Sequence, residues 1–196
     1  MIQPAPGVVF TTAVDGDMRH DRSARRRLGL ASEWATVDQV HGATVVAAHG
    51  PGSHGEADGL HTTKAGLPLA VFTADCLGIV LHGRGEVAVV HAGWRGVLAG
   101  VVETAVRSMN SVDSVHVGPH IQACCFEVGT EVAAWFTGHI TTTTWGTPSV
   151  DLADAVAARL PVEPVVSGRC TRCGGDSFSH RRDGTTSRMA AIGWVP

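Results

Sequence analysis

Tyrosine is absent from this chain of 196 residues, and charged residues make up only 17% of it. Fifteen Lys and Arg stand against 18 Asp and Glu, giving a formal charge of −3 with no block of one sign long enough for a tail. A basic face for nucleic acid is not expected from such a balance. Long apolar runs are missing too: Gly, Asp or His interrupts each one well short of the roughly 20 residues that a membrane-spanning helix needs. The first residues lack the charged-then-apolar pattern of a secretory leader. A soluble, cytoplasmic protein with no membrane partner is the expectation, and nothing in the sequence sets an oligomeric state.

Hydrophobic residues account for 44% of the sequence, enough to bury a core, and no linker divides it, so one domain over residues 1–196 is expected. Five cysteines, an odd number, argue for thiols rather than a disulfide framework. Eleven histidines are many for this length and favour a metal without locating it.

Twenty-four glycines fall between short β-rich runs at Thr44–Ala48, Pro68–Thr73, Ile79–Leu81, Val87–Val90 and Val112–Val117. Apolar residues recur at three and four from Val97 through Met109, predicting one helix, and again from Leu152 to Leu160 after Asp151, predicting a second. The charged stretch Arg19–Arg27 opens a third, expected to run through Leu30, and Thr141–Thr144 reads as a loop. Together these predict an α+β or layered α/β fold.

The informative region runs from Ala74 to Gly96. Two apolar runs flank Gly83-Arg84-Gly85-Glu86, a hairpin signal. A turn between Arg84 and Gly85 pairs His82 with Val87, Ile79 with Val90 and Gly78 with His91. Cys76 then lies just past the register, within reach of His91. His41 follows the run Ala35–Val40, at the exit of another strand, although spacing does not place it near the pair. One thiolate and two imidazoles would leave the fourth position of a tetrahedral zinc open, the catalytic rather than the structural pattern. Asp75 is a candidate to orient a ligand imidazole. The alternative is that Cys76 is a small buried hydrophobe and both histidines are ordinary core or surface residues. After His91, the turn Ala92-Gly93-Trp94-Arg95-Gly96 leads into a helix, where Arg95 and free N–H groups would suit an anion; tight packing with a surface Arg is the plainer reading.

Six segments in order resemble the YfiH-like, or laccase-domain (polyphenol oxidase), family, whose members are also described as purine nucleoside phosphorylases. They are QVHGATVV from Gln39, EADGLHT from Glu56, LAVFTADCLGIVL from Leu69, VAVVHAGWRGVLAG from Val87, VGPHIQACCFEVG from Val117 and FSHRRDGTTSRMA from Phe178. The resemblance implies that His41, Cys76 and His91 are metal ligands for zinc, with copper as a second candidate. It also implies a layered α/β/β/α sandwich with mixed sheets, of the CNF/YfiH-like cysteine hydrolase type, and phosphorolysis of adenosine, inosine and methylthioadenosine, with adenosine deamination on the side. Cys76, His91, Asp75 and Arg95 become the candidate catalytic residues, and Arg95 and Arg181 the candidate contacts to nucleoside and phosphate. The chain departs from the family in a short segment before Gln39, and in Phe126 and His180 where tyrosine is frequent.

Rival readings share or neighbour these residues. A metal-free cysteine hydrolase would use Cys76 as nucleophile and His91 as base. A cytidine-type deaminase would use His54, Glu56 and the pair Cys170 and Cys173, but the residue before Cys170 is not proline and the halves lie far apart. Cys170 and Cys173 have the form of a zinc half-site or a redox pair, yet no second pair follows, so two free thiols near a turn is the preferred reading. A copper-dependent polyphenol oxidase of the multicopper kind would need His-x-His pairs, which the sequence lacks. A metal-binding module without turnover completes the set.

Overall fold

Alternation within the strands explains the architecture. In Leu77–Gly83 and Glu86–Ala92 every side chain from Leu77 to Leu81 and from Val87 to Ala92 is buried, so both faces of these strands are covered. Leu77, Ile79, Leu81, Ala88, Val90 and Ala92 pack against helices, whereas Val80, Val87 and Val89 face another sheet. The computed structural model describes residues 1–30 and 33–196.

In chain order the strands are β1 (Ile2–Ala5), β2 (Val8–Phe10), β3 (Ala35–Asp38), β4 (Val45–Ala47), β5 (Gly52–Glu56), β6 (Gly59–Thr62), β7 (Leu69–Thr73), β8 (Leu77–Gly83), β9 (Glu86–Ala92), β10 (Ser114–Val117), β11 (Ile140–Thr142), β12 (Pro148–Val150), β13 (Val165–Val166) and β14 (Met189–Gly193). One sheet has the order β1-β2-β14-β7-β3-β5 and the other β13-β10-β8-β9-β6-β4. Both mix parallel and antiparallel pairs. The helices are α1 (Arg22–Arg27), α2 (Trp94–Ala99), α3 (Val101–Ser108), α4 (Thr130–Ala133), α5 (Leu152–Ala157) and α6 (His180–Asp183). Phe10, Val37, Leu69 and Val71 meet Leu60, Val80 and Val89 between the sheets. Ala24 and Leu28 of the α1 region cover Ala70, Phe72 and Ile192 outside the first sheet. Helices α2, α3 and α5 cover the outside of the second. The layers are therefore α/β/β/α, as the family resemblance implies.

The hairpin register is the expected one, with His82 opposite Val87, Ile79 opposite Val90 and Gly78 opposite His91. Three local expectations need correction. The helix predicted from Val97 to Met109 is two helices, because Gly100 takes φ 90° and its N–H closes onto Gly96 and Val97, ending α2. The apolar stripe still lies on one side, since Val97, Val101, Val102 and Ala105 share a core. The third helix stops at Arg27 rather than Leu30; Gly29 follows at φ 69° and turns the chain away. Within Thr141–Thr144, Thr141 and Thr142 belong to β11, which pairs with β12. By contrast, α5 begins as read, with the Asp151 carboxylate accepting the Asp154 N–H at 3.0 Å.

Candidate metal and substrate site

His41, Cys76 and His91 converge. Their ligand atoms all lie within 4.8 Å of one another, and the two imidazole rings meet edge to face at 4.8 Å. Each comes from a different part of the layered fold. His91 is buried on β9, Cys76 occupies the short crossing from β7 in one sheet to β8 in the other, and His41 follows β3 at φ 61°.

A carboxylate absent from the sequence reading organises them. Asp58, fully buried, accepts the His91 Nδ1–H at 2.8 Å and the backbone N–H groups of His41 at 3.0 Å, Gly42 at 2.6 Å and Val40 at 3.3 Å. With Nδ1 engaged, His91 turns Nε2 towards Cys76. Gln39 secures the same loop, exchanging hydrogen bonds of 2.8 Å in each direction with the Phe72 backbone on β7. The expectation for Asp75 is corrected. At φ 100° it sends its carboxylate away from the imidazoles, to accept Thr171 Oγ1–H at 2.6 Å and the Arg181 N–H at 2.7 Å. Little in the sequence marks Asp58, which follows Glu56 by two residues in a polar, glycine-rich stretch, and spacing does not reveal which of the two carboxylates faces inwards.

Electrostatics follow from this geometry. Burial pushes the Cys76 thiol upwards, but hydrogen bonds and charge from His41 and His91 outweigh it and bring the group down to about 6. Burial likewise pulls His91 down, and Asp58 with Cys76 overcomes it, raising His91 to about 9. Without a cation the site is a thiolate beside an imidazolium. Asp58 stays below the ordinary carboxylate range: burial raises it, and the His91 and N–H bonds prevail.

The donor set suits a borderline-soft ion such as zinc. Space at its centre is also kept open, since a Cβ at Gly93 would stand 3.1 Å from both Cys76 Sγ and His41 Cδ2. Two pockets adjoin the triad and share His41, Ala74, Cys76 and His180. The first, about 200 Å³, is walled by Trp94, Ile121, Phe126 and Leu152, with Arg95 and Arg181 at its polar side. The second, about 240 Å³, is lined by Arg19, Gln39, Phe72 and Arg188. Sequence reasoning singled out none of these last four.

Arg95 stacks over Trp94 at 4.2 Å and makes no hydrogen bond or ion pair among the described residues, so its donors are free. Arg181 lies 5.6 Å over the Phe126 ring and donates to the Glu127 carbonyl at 2.8 Å, which leaves part of its fork towards the pocket. Arg182 is structural: it pairs with Asp183 at 2.7 Å and donates to the carbonyls of Thr171, Arg172, Gly174 and Ser177. His54 and Glu56 belong to neither Cys/His/acid cluster found among the described residues, which removes the structural basis for a cytidine-type site.

A family model described as multi-copper polyphenol oxidoreductase laccase matches residues 15–196. The chain belongs to this laccase-domain, YfiH-like family. Among its curated relatives, purine nucleoside phosphorylase ORF3 of Streptomyces griseus is 38% identical over 88% of this chain and 78% of its own. Purine nucleoside phosphorylase YfiH of Shigella flexneri is 36% identical, over 90% and 81% respectively. Of solved structures, YlmD from Geobacillus stearothermophilus superposes with TM-score 0.83 at 30% identity, covering 100% of this chain and 94% of that one. The Neisseria meningitidis protein NMB0706 gives 0.75 at 30%, covering 88% and 78%. The family's older laccase name fits this member poorly in one respect, because no His-x-His pair is present in its sequence.

Proposed function

We propose that the protein is a zinc-dependent purine nucleoside phosphorylase acting on adenosine, inosine and methylthioadenosine. The observation that carries this reading is the juxtaposition, across one pocket, of the Cys76–His41–His91 donor set with the fork-shaped donors of Arg95 and Arg181 and an apolar wall. The purine nucleoside phosphorylase names of the curated relatives support it.

In this reading Ile121, Phe126 and Leu152 take the apolar purine, and Arg95 and Arg181 hold the phosphate. A phosphate oxygen attacks ribose C1′, the C1′–N9 bond breaks, and its electron pair leaves with the base, which gains a proton. His41, Cys76 and His91 would hold the ion, which when bound supplies fixed positive charge beside the departing group. Asp58 keeps the His91 Nε2 lone pair aimed inwards, and Asp75 keeps the backbone of Arg181, and thus the phosphate side, in place. Precise placement of the two reactants carries most of the acceleration. Deamination of adenosine is the expected side reaction, with His180 at the junction of both pockets as the side chain positioned to pass a proton.

The metal-free hydrolase reading uses the same Cys76 thiolate and His91 imidazolium, and the metal-binding module predicts an occupied site without turnover. Chromatography of adenosine with the purified, zinc-loaded protein separates these readings. Adenine and ribose 1-phosphate formed only when phosphate is present support phosphorolysis, and inosine reports deamination. Full turnover by Cys76→Ala, with as much zinc bound as in the wild type, would overturn the assignment of the site.

A further inference from the structure

Four of the five cysteines lie outside the site described above, and they too converge. The preferred sequence reading of Cys170 and Cys173 as free thiols rests on finding no second pair downstream. The fold supplies the second pair from upstream. The turn after β10 carries Cys124 and Cys125, and the bridge of His120 with Cys170, together with the Thr171 N–H donating to the His120 carbonyl at 3.0 Å, brings the two segments side by side.

We propose that Cys124, Cys125, Cys170 and Cys173 form a tetrathiolate site that binds one structural zinc ion. All four sulfurs lie within 4.8 Å of one another. Cys124 Sγ stands 3.6 Å from Cys125 Sγ and 3.9 Å from Cys173 Sγ. A tetrahedral ion with zinc–sulfur bonds of about 2.3 Å places its sulfurs about 3.8 Å apart, so these two separations bracket the edge of the required tetrahedron. A disulfide needs sulfurs at about 2.05 Å, and all four residues are free thiols.

The surroundings are built for a thiolate centre. Cys170 Sγ accepts the Gln122 N–H at 3.5 Å and further N–H bonds from Arg172 and Cys173, the latter two from within its own Cys-x-x-Cys loop. Such bonds orient a sulfur ligand and spread its charge. The loop closes with the Gly174 N–H donating to the Cys170 carbonyl at 2.9 Å, and a Cβ at Gly174 would sit 2.6 Å from that oxygen, so the tight turn requires glycine. Arg182 donates to the carbonyls of Thr171, Arg172 and Gly174, fixing the loop from outside and adding positive charge near four sulfurs.

This centre would brace the substrate pocket without touching substrate. Thr171, between Cys170 and Cys173, donates to Asp75, the neighbour of Cys76, and Phe126, next to Cys125, lines the pocket beneath Arg181. One ion would thus lock the pocket wall to the segment that leads into α6.

The decisive measurement is metal content by mass spectrometry of protein purified without added chelator. Wild type is expected to hold two zinc ions per chain, and Cys76→Ala to hold one. Cobalt exchanged into Cys76→Ala should give the visible bands of a tetrahedral all-thiolate complex. The double variant C170S/C173S should lose one of the two zinc ions; if it does not fold, the folded Cys76→Ala protein decides the matter. Cys76→Ala without zinc, cobalt bands of mixed nitrogen and sulfur ligation, or an intact mass showing these cysteines oxidised to disulfides would each overturn the proposal.

Discussion

Asp58 Oδ1 lies 2.8 Å from His91 Nδ1, and the same carboxylate receives the backbone N–H of His41. One buried side chain therefore sets the orientation of two of the three proposed metal ligands. Asp58→Asn keeps the shape but loses the charge and offers only one oxygen for these donors. Zinc affinity at the His41–Cys76–His91 site should fall about 10–100-fold, the usual effect of removing such a partner. Competition with a chromophoric chelator measures it; unchanged affinity would show that His91 needs no such partner.

Gly93→Ala tests whether open space at the centre matters. Its new Cβ would press on Cys76 Sγ and His41 Cδ2 at 3.1 Å each, and overpacking of this kind costs about 1–3 kcal/mol. Part of the strain falls on the ligands, so metal affinity should drop about tenfold or more, while the midpoint of chelator-treated protein falls by only a few degrees. A large loss of stability with intact affinity would contradict this.

The ionisation of Cys76 and His91 fixes a pH dependence. His91 is raised from 6.5 to about 9, so its share of metal-free stability is complete below 6.5 and is lost as pH rises through 9. Cys76 is lowered from 9.0 to about 6, so its share is complete above 9.0 and is lost as pH falls through 6. The two overlap between about 6 and 9, where chelator-treated protein should be most resistant to heat. Zinc must displace the His91 proton but meets a thiolate already formed. Calorimetry in buffers of different ionisation enthalpy at pH 7.5 should accordingly find close to one proton released from this pair, and two would contradict the ion-pair description.

Asp75→Ala separates positioning from ligation. It removes the acceptor for Thr171 and for the Arg181 N–H, with a loss of about 2 kcal/mol in stability. Zinc at the triad should remain, while KM for phosphate rises as Arg181 loses its anchor. Loss of the metal would instead restore Asp75 to the role of imidazole orienter.

The hairpin pairing was legible because two apolar runs flank a Gly-rich turn that fixes register locally, and that placed Cys76 beside His91. The contribution of His41 was legible only through resemblance, since it arrives from a strand in the other sheet and no local periodicity reports sheet-on-sheet packing. The same limit hid Asp58, Arg19 and Arg188. It also hid the partners of Cys170 and Cys173, which are remote in sequence and joined by the bridge at His120. The helix break at Gly100 shows the converse: a stripe at three and four survives an interruption that leaves both halves on one core, so periodicity does not see it.

The crossing at residues 74–76 carries the chain from β7 in one sheet to β8 in the other, with Cys76 at its end, His41 on the first side and His91 on the second. No pair of ligands from both sheets exists until the sandwich has closed. The complete set of three donors therefore exists only where the two sheets meet, and a nascent chain still lacking β9 has no triad with which to scavenge ions.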